Sequence, residues 1–415
     1  MENHLKREKK ASIILFVTCW IVYAIICMAR NAFSVSIAPI TSDGLLNKSE
    51  AGVISGFYYL FYGSAQLLLV RIVDKISPFK LINIALFGSL ISLGGFFFAN
   101  SYPLMLILWC AMGIFQFACW PSVIRIITQY LLPDHRPNAM ISIAFAICSA
   151  TLANYLLASI VLKFFSWRII FAVLIALIIC AAILWTIVTN KTVPVLEKFA
   201  KEIKVPKAKV ENTQKSGLWK VIFTSGLLFL LIPTFIRGML DTGLKSWVPT
   251  MIVENYGTST SFASILTTIL LLINLFGIFI LNLVYPKHIK SEAICLAMCF
   301  VVALPFTALL LLIGKIPVLM VVVLLTTVTT FTYAGSQLVN VIIPSKFAKM
   351  NVSGGVASVI NAVASFGVLA ANSGFGFMAD RFGWTATIWS WNILMGVAII
   401  FAFLSIQKWN KFVNK

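Results

Sequence analysis

A few ionisable side chains lie inside stretches of sequence that are otherwise almost entirely apolar. Arg30 falls well inside the first of these stretches, and Arg237, Asp241 and Lys245 share the seventh. A charged group in hydrocarbon costs several kcal/mol unless it faces a cavity or a partner of opposite charge. Because a guanidinium presents a planar fork of N–H donors, the arginines are candidates to bind a phosphate or a carboxylate.

Arg237 and Asp241 have the spacing of neighbours on one face of a helix, which permits an ion pair between them. The pair fits a structural bridge as well as it fits a binding role. Arg125, late in the fourth stretch, is better explained by a structural role. Asp241 is the only acid well inside a stretch, and the three histidines (His4, His135 and His288) all lie outside them.

The composition excludes a soluble protein. Of 415 residues, 60% are hydrophobic and 11% are charged, and the mean hydropathy is +0.98. Apolar runs of about twenty residues, enough for a helix to cross a bilayer, recur along the whole length. We therefore predict an all-α membrane protein with twelve transmembrane helices, at 11–39, 51–71, 80–100, 103–131, 138–164, 168–189, 219–252, 260–285, 291–314, 316–344, 352–379 and 384–407.

A polar, lysine-rich segment separates the sixth predicted span from the seventh. Pro194 and Pro206 are expected to break any long helix in it. We predict an N-terminal six-helix bundle over residues 1–189, a basic cytoplasmic linker over 190–218 and a C-terminal six-helix bundle over 219–415.

The two halves echo each other in sequence. Arg30 corresponds to Arg237, and Trp167 corresponds to Trp384, at offsets close to half the chain. Weak repetition of this kind is typical of transporters that rock one half against the other around a site at the midplane. We therefore expect two pseudo-symmetric bundles.

The formal net charge of +19 comes from lysines that gather in alternate loops, so it indicates the positive-inside bias rather than binding to nucleic acid. Both termini are expected in the cytoplasm, with the chain in a plasma membrane of the bacterial inner type. The eight cysteines lie in apolar runs without a CxxC pair, which predicts no metal site. We expect no cofactor, no enzymatic activity and a monomer in the lipid bilayer.

Other polar and aromatic side chains inside the spans could line a cavity with the charged residues. For each amide, a hydrogen bond between helices explains its position equally well. The glycines of the eleventh span, including Gly367, are expected to allow close helix packing. The candidate cavity residues are Tyr23, Gln116, Trp120, Tyr333, Asn340, Asn361 and Asn372.

The fourth span carries Gly113-Ile-Phe-Gln116, then Trp120-Pro121, then Arg125. This pattern resembles the major facilitator superfamily and, more narrowly, the organophosphate:phosphate antiporters, the group of the glycerol-3-phosphate and hexose-phosphate carriers. Span 7 agrees with its Trp247-Val-Pro249 ending. The likeness extends over nearly the whole chain and implies the major facilitator fold.

The resemblance also implies a phosphate site made of two arginines, one in each half, with a helping histidine in span 5. Arg30 fits the first arginine. The position of the second falls on Asp241, with Arg237 one helical turn earlier, and the histidine position falls near Cys148 or Ser149.

We therefore expect a secondary active transporter that moves a small organic anion, an organophosphate or a carboxylate, by alternating access. Arg30 would bind the anionic group, and Arg237 or Lys245 would close on it. Asp241 would pair with those cations when the site is empty. The counter-substrate would be phosphate or a proton.

Two alternatives stay open on sequence alone. The first is a proton-coupled symporter or exporter of a carboxylate or zwitterion, with Asp241 as the titrating group. The second is a transporter-like membrane sensor.

Overall fold

A computed structural model describes residues 2–202, 217–258, 260–350 and 352–413, and these residues are almost entirely helical. Short 3-10 turns lie at Pro133–His135, Leu310–Leu312 and Ala348–Met350, and a π-helical turn lies at Leu338–Ile342. The α-helices are α1 (Glu2–Ser42), α2 (Lys48–Leu68), α3 (Val70–Lys75), α4 (Pro78–Phe98), α5 (Tyr102–Gln116), α6 (Cys119–Gln129), α7 (Arg136–Phe164), α8 (Arg168–Glu202), α9 (Leu218–Ser225), α10 (Leu227–Tyr256), α11 (Thr260–Val284), α12 (Glu292–Leu309), α13 (Val318–Gln337), α14 (Ile343–Ser345) and α15 (Ser353–Val413).

Each of the twelve predicted spans coincides with helix in this structure. Within the described ranges, ten helical segments are long and apolar enough to cross a membrane. The second and eighth predicted spans correspond to α2 and α11. Large apolar side chains such as Phe87, Ile107 and Ile400 are more than half exposed, which is expected where lipid covers them. The prediction of an all-α membrane protein is confirmed.

The helices form two compact units. Unit 1 contains Met1–Lys215 with Pro344–Val359, and unit 2 contains Ser216–Ile343 with Ile360–Lys415. The predicted linker at 190–218 stays a prediction, because residues 203–216, Pro206 among them, lie outside the described residues.

The expectation that Pro194 breaks a helix is wrong. Helix α8 runs through Pro194 and ends at Glu202. Proline removes the N–H that would bond to the carbonyl of Asn190. Both residues are exposed, so water can bond to that carbonyl, and the helix continues.

In unit 1, polar side chains join α1 to α7 along much of their length. The indole of Trp20 donates to the carbonyl of Ser142 at 2.9 Å. The buried amide of Asn154 donates to the carbonyl of Met28 at 2.7 Å. Such bonds fix helix pairs where lipid offers no competing water.

In unit 2, two glycines allow α10 to approach the first half of α15. A Cβ on Gly238 would lie 2.2 Å from the carbonyl oxygen of Ala364, and one on Gly367 would lie 2.1 Å from that of Phe235. No side chain fits at either position. The close approach fixes the backbone of α10 at the turn that carries Arg237.

The repeated tryptophans make equivalent contacts in their own units. Trp167 Nε1 donates to Asp43 Oδ2 at 3.0 Å, directly after α1. Trp384 Nε1 donates to Glu254 Oε2 at 2.6 Å, near the end of α10. Gly383, with a φ of 78°, makes the bend in α15 that precedes Trp384. Each indole thus connects the start of its unit's last span to the end of the unit's first long span.

We expect Trp384→Phe to lower the free energy of unfolding by about 1 kcal/mol, because it deletes a hydrogen bond to a charged acceptor that water can partly replace. Thermal unfolding of the purified protein in detergent measures the effect. Trp389→Phe, at a side chain that is 54% exposed, is the matched control. Equal melting temperatures for the two variants would show that the contact adds nothing to stability.

Candidate functional site

The fourth predicted span is divided into α5 and α6 directly after Gln116. Pro121 has no N–H, so the carbonyl of Phe117, four residues earlier, has no helical donor. The fully buried amide of Gln66 supplies the missing bond, with Nε2 donating to Phe117 O at 2.8 Å. The break therefore places Gln116 at the end of α5 within the core of unit 1.

Gln116 connects four helices through one amide group. Its Oε1 accepts from Tyr58 Oη at 2.9 Å and from Arg30 Nε at 3.3 Å. Its Nε2 donates to Ser89 Oγ at 2.8 Å. These contacts determine which end of the amide faces Arg30.

The guanidinium of Arg30 lies against aromatic rings and has spare donors. Its Cζ is 4.9 Å from the ring centre of Tyr62 and 6.0 Å from that of Tyr58. Its Nη2 is buried and has no hydrogen-bond partner. Among the described residues, no carboxylate lies within ion-pair distance of Arg30. The result is a cation held in place by neutral groups, with an N–H edge left for an anion.

Two further predicted residues of unit 1 contact each other. The rings of Tyr23 and Trp120 are 5.3 Å apart, and both side chains are buried. The sequence did not point to Tyr58, Tyr62 or Ser89. A tyrosine in an apolar run is expected to pack in the core or to lie at the membrane interface. The only sequence feature that could have indicated a site was the clustering of tyrosines in Tyr58-Tyr-Leu-Phe-Tyr62.

Arg125 has the structural role that its position indicated. Its buried guanidinium donates through Nη1 to the carbonyls of Val73 and Ile76, the latter at 2.7 Å. These carbonyls lie at the C-terminal end of α3, which has no further helical turn to supply donors.

In unit 2, Arg237, Asp241 and Lys245 form a charged cluster along one face of α10. Lys245 Nζ lies 2.6 Å from Asp241 Oδ1, and Arg237 Nη1 lies 4.0 Å from Asp241 Oδ2. Both pairs have i,i+4 spacing, but only the lysine makes a hydrogen bond to the carboxylate. Lys245 also lies 5.0 Å from the ring centre of Tyr333 on α13.

Asn340 and Asn361 also belong to unit 2. Asn340 falls within the π-helical turn Leu338–Ile342, and its Nδ2 donates to Ser336 Oγ at 3.0 Å. Turns of this type inside helices are frequent at functional sites. Asn361 lies in the first half of α15, where its carbonyl accepts from Ser365 Oγ at 2.8 Å.

Comparison with known sequences gives a consistent result. The sequence model of the Major Facilitator Superfamily matches residues 19–371. A probable hexose phosphate transport protein of Chlamydia trachomatis is 22% identical over 294 residues, covering 66% of this chain and 64% of that protein. The membrane sensor protein UhpC of Escherichia coli is 24% identical over 116 residues, covering 28% of this chain and 26% of the sensor. The matched regions span less than two thirds of either relative.

Two solved structures share the arrangement of helices. The proton:xylose symporter XylE, bound to 6-bromo-6-deoxy-D-glucose, has a TM-score of 0.75 at 13% identity and covers 95% of this chain and 96% of its own. FucP in the outward conformation has a TM-score of 0.66 at 16% identity, with coverages of 95% and 99%. At these identities the likeness shows the fold alone.

We expect Gln66→Leu to lower the free energy of unfolding by about 1–3 kcal/mol, because it leaves the buried carbonyl of Phe117 without a donor. Thermal unfolding in detergent measures the loss. Gln407→Leu, at an exposed position of α15, is the control. If Gln66→Leu melts like the wild type, another donor satisfies Phe117 and the explanation of the break is wrong.

Proposed function

Because this chain belongs to the major facilitator superfamily, we propose that it transports a small organic anion across the membrane by alternating access. It is an integral membrane transporter and not an enzyme, and the resemblance of its fourth span to the major facilitator superfamily is confirmed. The observation that carries the choice of substrate is the guanidinium of Arg30, which has a buried, unbonded Nη2 and no carboxylate partner among the described residues.

An arginine in this environment is suited to an oxyanion. Charge-assisted hydrogen bonds are shorter and stronger than neutral ones, and a guanidinium can bond two oxygens of a phosphate or carboxylate at once. Gln116 and Tyr62 hold Arg30 before the ligand arrives. A preorganised side chain loses less entropy on binding.

The substrate is proposed to be an organophosphate or a carboxylate. Two observations support a phosphate ester: the relative from Chlamydia trachomatis is named as a hexose phosphate transport protein, and Arg30 fits the first arginine of the antiporters that span 4 resembles. Asp241 occupies the position of the second arginine of those antiporters, so a carboxylate substrate is proposed as the alternative to a phosphate ester.

The cluster on α10 is also proposed to bind the anion. Asp241 has a carboxylate oxygen within 4.0 Å of a nitrogen of each neighbouring cation. A substrate anion would displace this carboxylate from one of them. Binding would therefore exchange one ion pair for another, at a smaller net cost than dehydrating an isolated charge.

We also propose that both termini face the cytoplasm of a bacterial-type cell, with the chain in the inner membrane. The support is the gathering of lysines in alternate loops of the sequence, as the positive-inside rule describes.

We expect glucose 6-phosphate, glycerol 3-phosphate or a sugar acid to raise the melting temperature of the purified protein, since a ligand that binds the folded state stabilises it by mass action. Arg30→Gln should weaken that binding about tenfold or more, because it removes a charged donor.

Arg381→Gln, at an exposed arginine, is the matched control and should bind like the wild type. Glucose, which has no anionic group, tests whether that group is needed. Unchanged binding by Arg30→Gln would overturn the assignment of Arg30. Stabilisation by glucose but by none of the anions would overturn the proposal that the substrate is an anion.

We expect anion uptake into proteoliposomes to require phosphate or a second anion inside, because Asp241, the only acid well inside a predicted span, is already bonded to Lys245. Labelled glucose 6-phosphate is added outside vesicles loaded with phosphate or with potassium chloride. Arg30→Gln vesicles measure leakage. Accumulation driven by an inward proton gradient into chloride-loaded vesicles would instead establish proton symport.

A further inference from the structure

We propose that Arg237 is the anion-binding cation of unit 2 and that Lys245 is a positioning residue that holds Asp241 away from it. This inference rests on the proposed function, since it assigns a role to each of the three charges of the α10 cluster. The sequence treats the two cations alike, because each is four residues from Asp241.

The first observation is the unequal bonding of the two cations. Lys245 makes a hydrogen bond to Asp241 at 2.6 Å and lies over the ring of Tyr333, so most of its charge is compensated. The Nε of Arg237 is buried without a hydrogen-bond partner, and the residue as a whole is 5% exposed. Its contact with Asp241, at 4.0 Å, is too long for a hydrogen bond.

The second observation is the close packing of the backbone on either side of Asp241. Gly238 lies directly against the carbonyl of Ala364, and a Cβ on Gly243 would lie 2.7 Å from the ring of Phe375. Helix α10 is therefore tightly packed on both sides of Asp241. Only rotation of side chains can change which cation the carboxylate bonds.

These two observations give Lys245 its role. If Lys245 were uncharged, a small rotation would bring Asp241 into hydrogen-bond contact with Arg237. A carboxylate on the same helix acts at a high effective concentration, so it would exclude a dissolved anion from the guanidinium. Lys245 prevents this by engaging the carboxylate, and the cluster keeps one net positive charge at Arg237.

The test compares anion affinity among variants of the purified full chain, with glucose 6-phosphate and inorganic phosphate as probes and thermal stabilisation as the readout. Arg237→Gln and Lys245→Gln should each weaken binding about tenfold or more. Asp241→Asn combined with Lys245→Gln should recover wild-type affinity within about threefold, because the competing carboxylate is gone. Lys315→Gln, at an exposed lysine of unit 2, is the control.

Failure of the double variant to recover would show that Lys245 itself holds the anion and would overturn the inference. Wild-type affinity in Lys245→Gln would overturn it as well, while leaving the proposed function in place. If no probe binds to the wild type, the proposed function fails and this inference fails with it.

A measurement without ligand tests the same rearrangement. Lys245→Gln should melt at a higher temperature than Asp241→Asn, because Asp241 can still pair with Arg237 in the first variant, whereas the second leaves the buried Arg237 and the partly exposed Lys245 without a counterion. An equal or lower melting temperature for Lys245→Gln would show that the carboxylate does not move to Arg237, and would contradict the proposed role of Lys245.

Discussion

The structure depends on one constraint, the cost of leaving a polar group unbonded where water is absent. Pro121 frees a carbonyl, and Gln66 is buried at the place that bonds to it. Arg125 supplies donors to the end of α3. Other buried side-chain atoms of the described residues have no hydrogen-bond partner, and three of them belong to ionised groups: Glu8 Oε2, Arg30 Nη2 and Arg237 Nε. The proposed anion site accounts for the two arginine nitrogens, because an anion that arrives and leaves would bond to them.

Arg30 in unit 1 and Arg237 in unit 2 have different surroundings. Arg30 is surrounded by neutral groups, and an amide and two tyrosine rings disperse its charge. Arg237 has an acid on its own helix, but a lysine engages that acid more closely. The first arrangement leaves N–H donors of Arg30 available to the proposed anion. In the second, the proposal makes anion binding depend on which cation the Asp241 carboxylate bonds.

Hydropathy predicted the helices well, because the length of a span is set by the bilayer and not by details of packing. It also singled out Arg30, and span 4 singled out Gln116. The contact between them, together with Tyr58 and Tyr62, required knowledge of which helices are neighbours. The rule that proline breaks helices failed at Pro194, where the freed carbonyl is exposed. The sequence could not predict that Lys245 rather than Arg237 hydrogen-bonds to Asp241, because both have the same spacing and the side-chain rotamers decide which of them reaches the carboxylate.

The position of Arg237 bears on the substrate itself. In the antiporters that the sequence resembles, the second arginine falls where this chain has Asp241. One helical turn displaces the cation by about 5.4 Å along the axis, and Gly238, just after Arg237, packs closely on the carbonyl of Ala364. The proposed anion contact of unit 2 therefore lies about one turn of α10 away from the position that the family likeness implies.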